Sequence, residues 1–283
     1  RSPYGSLVEA TNGKLYGVTE SGGSSDYGTI FYYAPGGEGF KSLHEFKTIS
    51  GTNPSLDQPY GRSPYGSLVQ VGTELYGVAQ FGGTYNVTRS TNIQSYGVLF
   101  SISLTGNFQR RADFRWANGA WPNSTLVNVD GLLYGTAESG GTHNYGVVYS
   151  FDPSNNQIAK AADFNETNGR SPYGKLAKVS DGTLYGMTFR GGTADKGVLY
   201  QFNPGSSSIL KKVDFTGANG MNPAASLIEI KIIDPIALPL TLLSFTANEN
   251  GNGVQLVWDV ESEFDIQTYE VERSTDGTRY NPI

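Results

Sequence analysis

The sequence predicts an all-β chain. We read a β-propeller of four-stranded blades, at least four of them, over residues 1–234, followed by a second, incomplete β module over 235–283. Three observations predict it: a composition rich in turn and strand formers, one sequence unit that recurs four times, and a division of each copy into four strand-length segments.

Charged residues make up only 16% of the 283 residues, against about 25% in an average soluble chain. The 37 Gly, 18 Tyr and 14 Phe supply tight turns and aromatic-rich strands. A net charge of −6 offers no basic stripe for phosphates, which argues against nucleic acid or an anionic membrane surface as partner. No apolar run is long enough to span a bilayer, so direct membrane insertion is not expected. The absence of cysteine excludes disulfides, thiolate metal sites and cysteine nucleophiles, and tilts the origin towards bacteria or a cytosol.

The unit is punctuated by a Leu-Tyr-Gly triplet at 15–17, 75–77, 133–135 and 184–186, with Tyr-to-Tyr spacings of 60, 58 and 51. A glycine pair follows five residues after each triplet glycine, at Gly22-Gly23, Gly82-Gly83, Gly140-Gly141 and Gly191-Gly192. After a loop of variable length come Gly28, Gly97, Gly146 and Gly197, each opening an apolar or aromatic strand. The last strand ends in Glu45-Phe46, Asp113-Phe114, Asp163-Phe164 and Asp214-Phe215. Units start near Pro3, Pro64, Pro122 and Pro172, and a final strand starts near Pro223.

In the first copy, strands are expected near 6–10, 14–20, 28–33 and 40–46, divided by Gly, Pro, Asn and Asp. One four-stranded sheet cannot cover both its faces, so the copies must stack, and radial stacking gives a propeller. A linear β-solenoid is the rival, though its coils are shorter. The glycines read as turn and packing positions, and the repeated Tyr and Phe as contacts between blades.

These four marks, in this order over residues 1 to about 232, resemble the GloVer-type tandem repeat of bacterial surface and secreted proteins, with the kelch blade a more distant likeness. The resemblance implies a propeller and brings no catalytic residue. Beyond residue 234 the glycine punctuation ends. Leu256 and Trp258, the acidic segment Glu261–Asp265 and the run Val271–Gly277 resemble a fibronectin-like module of proteins exported by the bacterial type IX system. A fibronectin-like sandwich needs about seven strands and roughly 100 residues, so the 48 residues from 236 to 283 provide only part of one. We therefore expect these residues to be a window onto a longer protein, extracellular or at the cell surface.

Chemistry is sparse. His44 and His143 are the two histidines, without metal-ligand spacing, and no cofactor motif is present, so neither metal nor cofactor is expected. The acidic residue before each closing Phe recurs in every copy and reads as a turn or inter-blade hydrogen-bond acceptor. Function is sought where copies differ. The stretched loop from Thr84 to Tyr96 contains Tyr85, the connection from Thr48 to Arg62 is long, and Trp116 and Trp121 flank a turn with Arg111 and Arg115 nearby. Trp116, Trp121, Arg115, Tyr85 and His143 are the candidate ligand-binding residues, able to stack on a sugar or anchor a protein. A glycan, a surface protein or a second copy of the chain is the expected partner. The function expected is non-enzymatic binding or adhesion, with a polysaccharide-active enzyme or a structural spacer as alternatives.

Overall fold

The computed structural model describes residues 2–47, 60–84, 86–89, 92–228, 242–250, 253–260, 272–273 and 281–282. Two compact units divide after Glu229.

In the larger unit every copy of the repeat folds as an antiparallel sheet. The first contains β1 (Val8–Glu9), β2 (Leu15–Thr19), β3 (Thr29–Ala34) and β4 (Gly39–Glu45), paired in chain order. The second contains β5 (Arg62–Val71), β6 (Glu74–Phe81), β9 (Val98–Ser103) and β10 (Phe108–Asp113). In the third, β13 (Leu132–Ser139), β14 (Val147–Asp152) and β15 (Gln157–Asp163) are joined by two short inner strands, β11 (Ala120–Pro122) and β12 (Val127–Val129), both paired with β13. The fourth contains β16 (Arg170–Lys178), β17 (Leu184–Arg190), β18 (Val198–Phe202) and β19 (Ile209–Asp214).

The stretch after Gly83, read as a loop, instead holds a hairpin of β7 (Asn86–Arg89) and β8 (Asn92–Ser95). The β-branched Val87, Thr88 and Ile93 favour strand there despite their polar neighbours. Trp116–Asn118 form a single 3-10 turn.

Successive sheets pack face to face. Tyr16, Ile30 and Tyr32 of the first share a core with Leu75, Phe100 and Ile102 of the second. Tyr76 and Leu99 of the second meet Leu133, Tyr149 and Phe151 of the third, and Tyr134 and Val148 of the third meet Leu184, Tyr200 and Phe202 of the fourth. Tyr16, Phe100, Tyr149, Phe151, Tyr200 and Phe202 are among the largest fully buried side chains at these seams. Phe46, Phe114 and Phe164, which close the first three units, are wholly buried at these seams, whereas Phe215 is half-exposed.

The repeat marks now acquire causes. In the second unit Tyr65 pairs with Val78 and Val69 with Tyr76, so residues 66–68 bulge opposite Gly77 alone. Leu68 folds over that glycine, where a Cβ would sit 2.8 Å from the Leu68 side chain and 2.6 Å from the Phe100 ring. The same bulge recurs in the fourth unit between Tyr173 and Ala177. Each unit-opening proline packs on the glycine that opens the preceding unit's third strand: Pro64 on Gly28, Pro122 on Gly97, Pro172 on Gly146 and Pro223 on Gly197. The residue before that proline donates its N–H across the seam: Ser63 to Tyr27, Trp121 to Tyr96, Ser171 to Tyr145 and Asn222 to Lys196, at 2.7–3.0 Å.

In the smaller unit β20 (Leu242–Asn250) pairs antiparallel with β21 (Gly253–Val260), and β22 (Glu272–Arg273) with β23 (Asn281–Pro282). The strand expected over Val254–Trp258 lies in β21. The acidic segment Glu261–Asp265 and the turn Ser274–Gly277 lie outside the described residues.

Candidate functional site

Side chains on the two ends of each unit meet different fates. At the turn end, the residue following the glycine pair donates its backbone N–H to the acid before the closing Phe: Ser24 to Glu45 at 3.1 Å, Thr84 to Asp113 at 3.1 Å, Thr142 to Asp163 at 2.9 Å and Thr193 to Asp214 at 3.1 Å. Lys160 and Lys211 pair with Asp163 and Asp214 at 2.6 and 2.8 Å. The Lys211 ammonium, working against partial burial of the carboxyl, holds Asp214 below the usual carboxylate range. The expectation of a turn acceptor is met within each unit rather than between units.

At the axial end, the inner segments of all four units and residues 224–228 line one cavity of about 1020 Å³. In the second and fourth units these segments contain the bulges opposite Gly77 and Gly186. A ladder of hydroxyls links neighbours: Ser6 N–H donates to Ser67 Oγ at 2.8 Å, Ser67 N–H to Thr125 Oγ1 at 2.7 Å, and Lys175 N–H to Ser226 Oγ at 2.9 Å. Lys175 stands where the other units carry Ser or Thr, so it brings no acceptor to the rung between the third and fourth units.

The residue after each opening proline is Tyr4, Tyr65, Asn123 or Tyr173, and all four line the cavity. Tyr4 stacks on Tyr65 at 4.7 Å between centroids, and Tyr65 meets Tyr173 edge to face at 6.5 Å. Burial, the phenols of Tyr173 and Tyr4, and then the carboxylates of Glu20 and Glu138 push the Tyr65 hydroxyl up to about 12. Burial likewise raises Glu138. Asn123 is 2% exposed, and neither its amide nitrogen nor its amide oxygen has a hydrogen-bond partner among the described residues. Its amide lies near enough to the Tyr173 phenol to favour ionisation of that group, without hydrogen-bond geometry. Burial and Glu138 outweigh it, so Tyr173 is raised.

A second, polar hollow of about 390 Å³ lies between the outer strand of the second unit and the β14–β15 turn, lined by Arg110, Arg111, Arg115, Thr84, Asn118 and Asn156 among others. Arg110 pairs with Asp113 at 3.4 Å, and Arg111 donates to Ser101 Oγ at 2.7 Å.

The candidates named from sequence separate. Trp116 and Trp121 come together edge to face at 6.3 Å, with Tyr96 5.6 Å from Trp116. Both are half-buried against the core between the second and third units. Trp121 occupies the seam position held by Ser63 and Ser171, with φ 59°, and its indole N–H donates to the Ser95 carbonyl at 3.2 Å. Arg115 is exposed and lines the polar hollow, which the tryptophans do not. His143 is exposed in the loop after Gly141, and Tyr85 lies outside the described residues. His44, by contrast, stacks on Phe108 at 3.9 Å across a seam. Sequence reasoning passed over Tyr4, Tyr65, Asn123 and Tyr173. The signal was present: aligning the units on their prolines shows Asn123 alone among tyrosines.

A family profile for the Gloeobacter/Verrucomicrobia repeat matches residues 61–233. The chain belongs to the Gloeobacter/Verrucomicrobia repeat family. Among curated proteins no sequence relative matches it. Three solved structures resemble this repeat chain in backbone course. One from a nidogen/laminin complex is 13% identical, covering 80% of this chain and 68% of the other at a TM-score of 0.48. The extracellular domain of a putative one-component system from B. thetaiotaomicron is 11% identical, covering 78% of this chain and 23% of the other at 0.48. The PQQ-bound aldose sugar dehydrogenase of Streptomyces coelicolor is 14% identical, covering 80% and 72% at 0.47. The repeat chain thus spans under a quarter of the second of these. No helix among the described residues is long and apolar enough to cross a membrane.

Proposed function

We propose that this chain is a non-enzymatic binding module, built of propeller blades, in an exported bacterial surface or secreted protein, and that it contacts a glycan. The single observation behind this reading is where the repeat departs from itself. Residues that build the blades recur in every unit, whereas those facing the axial cavity vary: Tyr, Tyr, Asn, Tyr at one position, and Ser, Ser, Thr, Lys two residues on. A scaffold that repeats while its cavity wall varies is what recognition requires. Export by the type IX route, with residues 236–283 as part of a fibronectin-like module, belongs to the same proposal and rests on the Leu256–Trp258 and Val271–Gly277 likeness.

An array of neutral and acidic glycans and cell-envelope polysaccharides, probed with the labelled chain, tests the reading. Saturable binding to at least one class is expected. No binding to any class would overturn it.

A further inference from the structure

A buried amide with no protein partner is uncommon, because desolvating both its donor and its acceptor costs free energy that only a partner returns. Asn123 is such an amide, in the wall of the axial cavity. Its surroundings narrow what would satisfy it. Tyr4 is 60% exposed with one ring face stacked on Tyr65, so its other face is presented outward as a flat platform. Tyr65 and Tyr173 supply two more phenols, and the charged residues of the cavity lining are Lys175 and Lys178. The missing hydroxyl rung at Lys175 falls at the seam between the unit of Asn123 and that of Tyr173. A ligand that combines adjacent hydroxyls with an apolar C–H face answers all of these at once: the amide can donate to one hydroxyl and accept from its neighbour, while the ring covers the platform. The cavity, at about 1020 Å³, has room for it.

Building on the glycan-binding reading, we propose that the end of the axial cavity formed by Tyr4, Tyr65, Asn123 and Tyr173 is a binding site for a pyranose. The Asn123 amide bonds two adjacent hydroxyls and Tyr4 stacks on the sugar ring. Tyr65 and Tyr173 position that platform and fix the width of the mouth.

The test is calorimetric titration of the whole 283-residue chain with neutral tetrasaccharides (cello-, xylo-, manno- and malto-series) and with a tetragalacturonate. At least one of these sugars should bind. Asn123→Ala and Tyr4→Ala should each weaken it ten-fold or more, while Lys212→Ala, exposed on β19 and outside the cavity lining, should change it less than three-fold. Urea midpoints equal to the parent's show that these variants remain folded. Binding unchanged in Asn123→Ala or Tyr4→Ala would overturn the site but leave the glycan-binding module standing, with Trp116 and Trp121 next to be replaced. Silence towards every glycan would overturn both.

Discussion

At the turn end of every unit the same kind of carboxylate receives the same kind of backbone N–H, as Asp163 does from Thr142. At the axial end, the residue after the proline is Tyr in three units and an unpartnered Asn123 in the third. The difference shows how a repeat divides its polar groups. Those needed in every copy are consumed by the copy's own turn, because a buried or half-buried charge must be met wherever it occurs. Those present once meet mixed fates: the Trp121 indole is taken up by the Ser95 carbonyl, whereas Asn123 is left without a hydrogen-bond partner among the described residues. Repetition therefore marks structure in this chain.

The comparison can be broken or sharpened by substitution. The largest effect is expected where repeated residues sit in a seam. Phe164→Ala should cost about 3–5 kcal/mol in urea unfolding, while Phe215→Ala, at the same repeat position but half-exposed, should cost about 1–2 kcal/mol. Equal losses would show that the seams do not carry the core. Next, Gly77→Ala should cost about 2–3 kcal/mol, since its Cβ would press on the Phe100 ring and on Leu68, which the bulge holds in place. Gly37→Ala, whose Cβ would have as its nearest contact the Ala34 side chain at 3.9 Å, serves as the neutral control.

A sharper contrast pairs the two ends directly. Asp163→Ala removes the acceptor of the Thr142 N–H and the Lys160 partner and should cost about 1–2 kcal/mol. Asn123→Ala removes an amide with no protein partner, and its urea midpoint should stay unchanged or rise. A large loss on Asn123→Ala would mean that the fold uses that amide after all.

A pH dependence is expected at a seam. Burial, with Lys47 adding to it, pushes His44 down to about 4. The folded chain therefore holds this imidazole neutral, while the unfolded chain takes up a proton near the ordinary histidine value of about 6.5. Stability should fall as pH drops from about 6.5 towards 4, by about 1–2 kcal/mol once partial exposure is allowed for. His44→Phe should flatten that part of the profile, measured as the urea midpoint against pH.

The all-β class, the four units and their strand order were legible because they rest on local chemistry: glycine and proline punctuation, strand-forming triplets and spacing. The roles of the closing acids were half legible. Their recurrence spoke against catalysis, but that each serves its own glycine-pair turn depends on strand register, which no spacing reveals. Trp116 and Trp121 drew attention by size, yet their half-buried seam position depends on the left-handed backbone at Trp121 and the carbonyl that Ser95 offers its indole. The hairpin of β7 and β8 was hidden because the polar residues around Val87, Thr88 and Ile93 outweighed their strand preference in the reading of the sequence.

By itself, then, the sequence determined the repeat, its antiparallel sheet units and the family to which it belongs, because each unit's turns and strands are decided within a few dozen residues. Only the tertiary structure decided which variable residues meet. Tyr4, Tyr65, Asn123 and Tyr173 are about fifty to sixty residues apart in sequence, one per unit as in any tandem array. They converge because successive sheets stack around one cavity, and whether a polar side chain finds a partner there depends on neighbours the sequence does not place beside it.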